Sequence, residues 1–109
     1  MKKFVLALDL KPDQALIAAY EAHHKAVWPE VLAQIKASGI HQCDIYRVQN
    51  RLVLLLETND DFSFEQKNLQ DQSNPKVQAW ESLMWNYQQA LPGAKDGEKW
   101  MLMEQIFRL

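Results

Sequence analysis

Apolar and polar positions alternate from residue 4 to residue 10: Phe4, Leu6, Leu8 and Leu10 fall on one side, Val5, Ala7 and Asp9 on the other. A period of two predicts a β-strand. Pro12 suits the first turn of a helix and Asp13 suits its positive end. Leu16, Ala19, Tyr20, His23, His24 and Val27 then recur at helical spacing. Trp28-Pro29 interrupts that run. Proline restricts the residue before it and can open a new helical turn, so a break or kink is expected there. The helix resumes through Val31, Leu32 and Ile35 and stops at Gly39, a residue suited to a C-terminal cap. Residues 40–48 read as a second strand, Gln49-Asn50 as a turn and residues 51–57 as a third strand. Residues 58–73 are polar, with Asn59, Asp60, Asp61 and Ser73 as turn signals, and they receive no element. Asn74-Pro75 is a good helix start, and Val77, Trp80, Met84, Tyr87 and Leu91 make one helical face. Pro92-Gly93 ends that helix. A polar loop follows to about Lys99, and residues 100–107 read as the last strand.

The order β-α-β-β-α-β is the ferredoxin-like arrangement of the α+β class, an antiparallel sheet with two helices on one face. No repeat or linker divides the chain, so residues 1–109 form one domain. The third strand adds an expectation. Leu52, Val53, Leu54, Leu55 and Leu56 are apolar on both faces, whereas a half-exposed strand should alternate. Two helices cover one face only. The simplest cover for the other is the same sheet of a second copy, which predicts a homodimer.

Composition narrows the function classes. Apolar residues make up 48% of the chain, enough for a real core. Twelve Lys and Arg against fourteen Asp and Glu are scattered, with no basic stripe to meet a phosphate backbone, so nucleic acid is not an expected partner. Cys43 is the single cysteine, which precludes an intrachain disulfide and suits a reducing compartment. Met1-Lys2-Lys3 precedes an apolar run as in a signal peptide, but Asp9 and Lys11 cut the run short and no small-residue cleavage site follows. No segment is long enough to span a bilayer. A cytoplasmic location without membrane association is expected.

The densest chemistry lies in Tyr20-Glu21-Ala22-His23-His24-Lys25-Ala26-Val27-Trp28-Pro29-Glu30. Tyr20 and His24 are four apart and share a helix face. A phenol beside an imidazole can hold a hydroxylated ligand, and an imidazole, with a free pKa near 6.5, can exchange a proton at neutral pH. The same pair also suits two ordinary helix residues with wet polar ends. His23 lies about 100° around the helix, so it is expected at the surface or in packing, facing away from the His24 pocket. Trp80 and Trp85, with Tyr87 nearby, offer faces on which a sugar can stack, although Trp80 and Met84 also stand at core spacing. His41 and Cys43 share a strand face but fit no zinc spacing with His23 and His24, so no metal is expected. Glu21 and Glu30 form only a weak carboxylate pair for glycoside hydrolysis. Three glycines make no phosphate loop.

Tyr20, His24 and the following Trp28-Pro29-Glu30 resemble, without a gap, the signature of the L-rhamnose mutarotase family. The resemblance continues through Ser38-Gly39, His41, Ile45-Tyr46, Glu57, Trp80, Pro92, Glu104 and Phe107, so it covers nearly the whole chain. It implies a dimeric α/β barrel of two ferredoxin-like units that interconverts the α and β anomers of a 6-deoxy sugar. It also implies His24 as the proton donor and Tyr20 and Trp80 as sugar-binding residues, with no cofactor. Trp28, Cys43 and Trp85 complete the candidate sugar contacts. Three positions depart from the family pattern. A sugar-binding tyrosine falls at Cys43, which has no phenol to offer. The second of two adjacent tryptophans falls at Glu81, though Trp85 follows one turn on. A tryptophan after the third strand falls near Phe64. The acid–base pair is kept while sugar contacts change, so L-fucose stands beside L-rhamnose as a substrate. A ligand-binding protein or a cofactor-free monooxygenase could use the same architecture, since fold does not fix function.

Overall fold

The computed structural model describes residues 1–109. Its elements run β1 (Lys2–Leu10), α1 (Gln14–His23), α2 (Pro29–Ala37), β2 (Ile40–Val48), β3 (Arg51–Thr58), α3 (Phe64–Gln72), α4 (Pro75–Trp85), β4 (Gln88–Gln89) and β5 (Met101–Leu102). The strands form one antiparallel sheet in the order β2-β3-β1-β4, with β5 also paired to β1. The topology is the ferredoxin-like one expected from the pattern.

Register explains which residues meet. Phe4, Leu6 and Leu8 of β1 stand opposite Leu56, Leu54 and Leu52 of β3. These side chains share the face covered by the helices. The apolar set splits into two clusters. One joins Leu10, Ile17, Tyr20, Val31, Leu52, Trp80 and Met84, and so ties α1, α2 and α4 to the sheet. The other gathers Leu6, Ile40, Leu54, Leu56 and Phe62 at the far end, with Phe4 and Phe64 against it. Helix ends follow their local chemistry. The Asp13 side chain accepts from the Leu16 amide at 3.0 Å, and Asn74 accepts from the amides of Lys76 and Val77. Both satisfy donors that a helix start leaves without partners. Gly39 follows α2 at φ +94°, where a Cβ would meet Asn59 Nδ2 at 3.1 Å. That conformation suits glycine.

Four departures from the sequence pattern matter. First, α1 stops at His23, ahead of the expected break, and His24 caps it. Proline explains the restart: Trp28 takes the extended conformation that precedes Pro29, and α2 begins there. Second, residues 58–73 contain helix α3. It has no fully buried residue, so it shows no apolar period; Ser63 caps it by accepting from the Gln66 amide at 3.1 Å. Third, the last helix ends at Trp85 rather than Leu91, with Asn86 as its cap. Fourth, the last strand is not a continuous run over residues 100–107. Two short strands share the β1 edge: Gln88 and Gln89 pair with Leu10 and Asp9, while Met101 and Leu102 pair with Ala7 and Leu6. In addition, β2 carries a bulge between Ile40 and Gln42, so His41 leaves the regular alternation and its ring binds the Asn59 side chain.

The second sheet face carries no helix. By register it presents Val5, Ala7, Tyr46, Val48, Val53 and Leu55. Tyr46 is 59%, Val48 67% and Leu55 36% exposed, a set of apolar side chains open to water. No helix is long and apolar enough to cross a membrane.

Candidate active site

The end of α1 and the middle of α4 meet above Leu10 and Leu52 and bring the aromatic residues together. The Tyr20 and His24 rings lie 4.4 Å apart between centroids, tilted by 42°. His24 also meets Trp80 edge-on at 5.6 Å, and Trp28 meets the same indole at 5.3 Å. Because α1 ends at His23, His24 closes the helix instead of continuing it. Its Nδ1 lies 2.9 Å from the Tyr20 carbonyl oxygen. A carbonyl only accepts, so Nδ1 must carry the hydrogen. In the neutral ring the lone pair is therefore on Nε2. The tautomer that a general base needs is set by the backbone.

Tyr20 is 3% exposed and Trp80 6%. Burial pushes the Tyr20 phenol from 10.0 up to about 12, against the pull of its hydrogen bond with Gln88. The phenol is thus a neutral hydrogen-bonding group at pH 7 and a poor proton source. Gln88 Nε2 donates to its oxygen at 3.3 Å. The half-buried edge of the cluster is made by His23, His24, Trp28 and Tyr87.

His23 departs from expectation. It packs, but not on the far side from His24: its ring meets Trp80 edge-on at 6.4 Å, so both imidazoles flank one indole. Nε2 of His23 shares a hydrogen bond of 3.1 Å with the Tyr87 hydroxyl. The two residues are adjacent in the chain, yet both rings border Trp80 at the end of the helix.

The remaining candidates spread out. Cys43 stands opposite Leu56 on the helix-covered side of β2 and is exposed. Crowding around the sulfur pushes its thiol pKa up, with Lys67 pulling the other way. Trp85 stands apart, at the edge of α4, with Lys99 Nζ 4.9 Å above its ring. Lys99 also pairs with Glu81. Glu21 is taken by Arg47 of β2, which separates it from Glu30 as a carboxylate pair. The His, Cys, Asp and Glu side chains form no group of three able to hold a metal. A surface cavity of about 290 Å³ is lined by Trp28, Pro29, Glu30 and Lys76. It borders the motif without including His24 or Tyr20, so the chemistry rather than the volume picks out the site. The sequence pattern placed Tyr87 near Trp80 and Trp85, though on a helix that ends before it, and gave Gln88 no role.

Comparisons with known proteins bear on the family and the fold. Residues 3–109 match the L-rhamnose mutarotase family. An L-fucose mutarotase of Xanthomonas campestris is 44% identical over 111 residues, covering 100% of this chain and 89% of the relative. Among solved structures, an L-rhamnose mutarotase from Formosa agariphila superposes with a TM-score of 0.73 at 20% identity, covering 100% of this chain and 99% of the other. The tetracenomycin F2 cyclase of Streptomyces glaucescens, a type-II polyketide cyclase, superposes at 0.63 and 21%, covering 100% and 97%. At such identities these two structures speak for the fold.

Proposed function

The chain belongs to the L-rhamnose mutarotase family, and from that premise we propose that it interconverts the α and β anomers of a 6-deoxy-hexose, with L-fucose its preferred sugar. One observation carries the chemistry: His24 Nδ1 is tied to the Tyr20 carbonyl, which leaves Nε2 as the free base beside a phenol and an indole. In mutarotation the anomeric hydroxyl loses a proton and the ring oxygen gains one. The C1–O5 bond breaks as the C1 carbonyl forms, the carbonyl turns, and the ring recloses. His24 Nε2 takes the anomeric proton and returns it at the ring oxygen or through water. The buried Tyr20 phenol orients the sugar rather than surrendering its own proton. Trp80 and Trp28 give the apolar wall for the sugar's C–H faces. Acid–base help of this kind is worth about 10²- to 10⁴-fold, enough for a reaction that water already performs, and neither metal nor cofactor enters.

L-fucose is favoured because the 44% identical relative is an L-fucose mutarotase and because Cys43 and Glu81 replace aromatic sugar contacts of the family pattern. L-rhamnose is the second reading, favoured by the name of the family itself. The protein works as a cytoplasmic homodimer, joined through the open sheet face. Proton NMR exchange between the two anomers of each sugar, with and without protein, tests the function. Acceleration that is larger for L-fucose supports it, and acceleration larger for L-rhamnose moves the substrate. No acceleration with either sugar overturns the activity and leaves a ligand-binding role.

A further inference from the structure

Gln88 lies on β4 opposite Leu10, on the helix-covered side of the sheet, and is 4% exposed. Its Nε2 donates to Tyr20 Oη, while its Oε1 is buried without a hydrogen-bond partner. Exchanging the amide's oxygen and nitrogen does not remove the problem. One end would still reach the phenol and the other would still lack a partner. Buried polar groups are nearly always paired, since an unpaired one loses the hydration it had in water. Leu10, its neighbour across the strand pair, is apolar, and a leucine at position 88 would incur no such loss.

We propose that Gln88 is a sugar-binding and specificity-determining residue, with its free amide oxygen accepting from a ring hydroxyl of the substrate. The inference rests on the mutarotase reading above and extends it to a residue outside the Tyr20/His24 motif. Gln88 Nε2 occupies the Tyr20 oxygen, so the phenol's own hydrogen is left to donate. The pair then offers one donor, the Tyr20 O–H, and one acceptor, Gln88 Oε1. A sugar hydroxyl both donates and accepts, so a single hydroxyl satisfies both groups. Such a fixed pair reads configuration. L-fucose and L-rhamnose differ at C2 and C4, and a hydroxyl of the wrong configuration leaves both groups without a partner, which is how a polar pocket rejects an isomer.

Gln88→Leu tests this, read by L-fucose binding through tryptophan fluorescence, by anomer exchange and by thermal midpoint. L-fucose affinity and kcat/KM are expected to fall about tenfold, while the midpoint stays near that of the wild type, because the buried unpaired oxygen and the bond to Tyr20 are lost together. Unchanged affinity and exchange with a higher midpoint would overturn the proposal and leave Gln88 a packing flaw. Should Gln88→Leu lower the midpoint instead, singly deoxygenated L-fucoses decide. Removal of the contacted hydroxyl should weaken binding to the wild type and leave binding to the variant unchanged; the same ratio for every deoxy sugar would overturn the assignment. A wild type that binds L-fucose without speeding exchange would refute the activity alone, and the affinity ratio would still judge Gln88. A wild type that neither binds nor turns over either sugar would refute both.

Discussion

A residue's neighbours decide its chemistry here more than its type does. His23 and His24 are chemically alike, yet one shares its Nε2 with the Tyr87 hydroxyl while the other keeps Nε2 free by spending Nδ1 on the Tyr20 carbonyl. Tyr20 carries a testable electrostatic consequence. Its phenol is raised from 10.0 to about 12 by burial. Between those values the unfolded chain loses its phenolic proton while the folded chain retains it. The folded state thus binds more protons, and stability must fall as pH rises. The contribution is complete below pH 10 and is lost toward pH 12, an effect of roughly 3 kcal/mol. The difference in urea midpoint between wild type and Tyr20→Phe should therefore shrink over that range. A difference that is constant with pH would place the phenol in water. Tyr20, His24 and Trp28 were legible in the sequence because they fall in one motif, and Trp80 because the family resemblance reaches it on the late helix. Gln88 was not, because nothing in a Gln-Gln pair announces a buried amide. Tyr87 was read as a helical core position, since its spacing from Trp80 and Met84 fits a helix that in fact has already ended.

Among the elements, those with a strong period were read well and those without one were not. β1 alternates and β3 is apolar from Leu52 to Leu56; the two pair along their length, and β2 joins β3 with one bulge between Ile40 and Gln42. Helix α3 was invisible to periodicity because it buries no residue fully. Its start was nevertheless written in Ser63 and Gln66, the Ser-x-x-Gln spacing of a capping box. The end of the last helix was misplaced because Tyr87 and Leu91 prolong its period, whereas Asn86 favours a cap over a helix interior. Two predictions belong to this scale. Asn74→Ala removes the acceptor for two amides at the start of the helix that carries Trp80 and should cost about 1 kcal/mol, measured by urea unfolding. Gln49 holds φ +53° in the turn between β2 and β3, a left-handed conformation uncommon for a residue with a Cβ. Gln49→Gly should stabilise the protein by up to about 1 kcal/mol; a loss of stability would mean that the Gln49 side chain contributes more than its backbone strain costs.

At the scale of the molecule, the expectation of a covered second sheet face came from the apolar run of β3. The single chain leaves that face open, with Tyr46, Val48 and Leu55 exposed. The C-terminal residues Met103, Ile106, Phe107 and Leu109 are exposed as well. Apolar patches of this kind on a small domain mark an association surface. Light scattering at micromolar concentration should therefore give twice the chain mass, and Leu55→Glu should shift it toward one chain; a wild-type monomer would remove the dimer from the account. The activity itself turns on one nitrogen. His24→Asn retains a donor for the Tyr20 carbonyl but removes the Nε2 lone pair. Anomer exchange of L-fucose, measured by proton NMR for wild type and His24→Asn, tests that claim most directly. Clear acceleration by the wild type is expected, with a loss of about 10²- to 10⁴-fold in the variant and the fold intact by circular dichroism. A folded His24→Asn protein that exchanges anomers as fast as the wild type would contradict it.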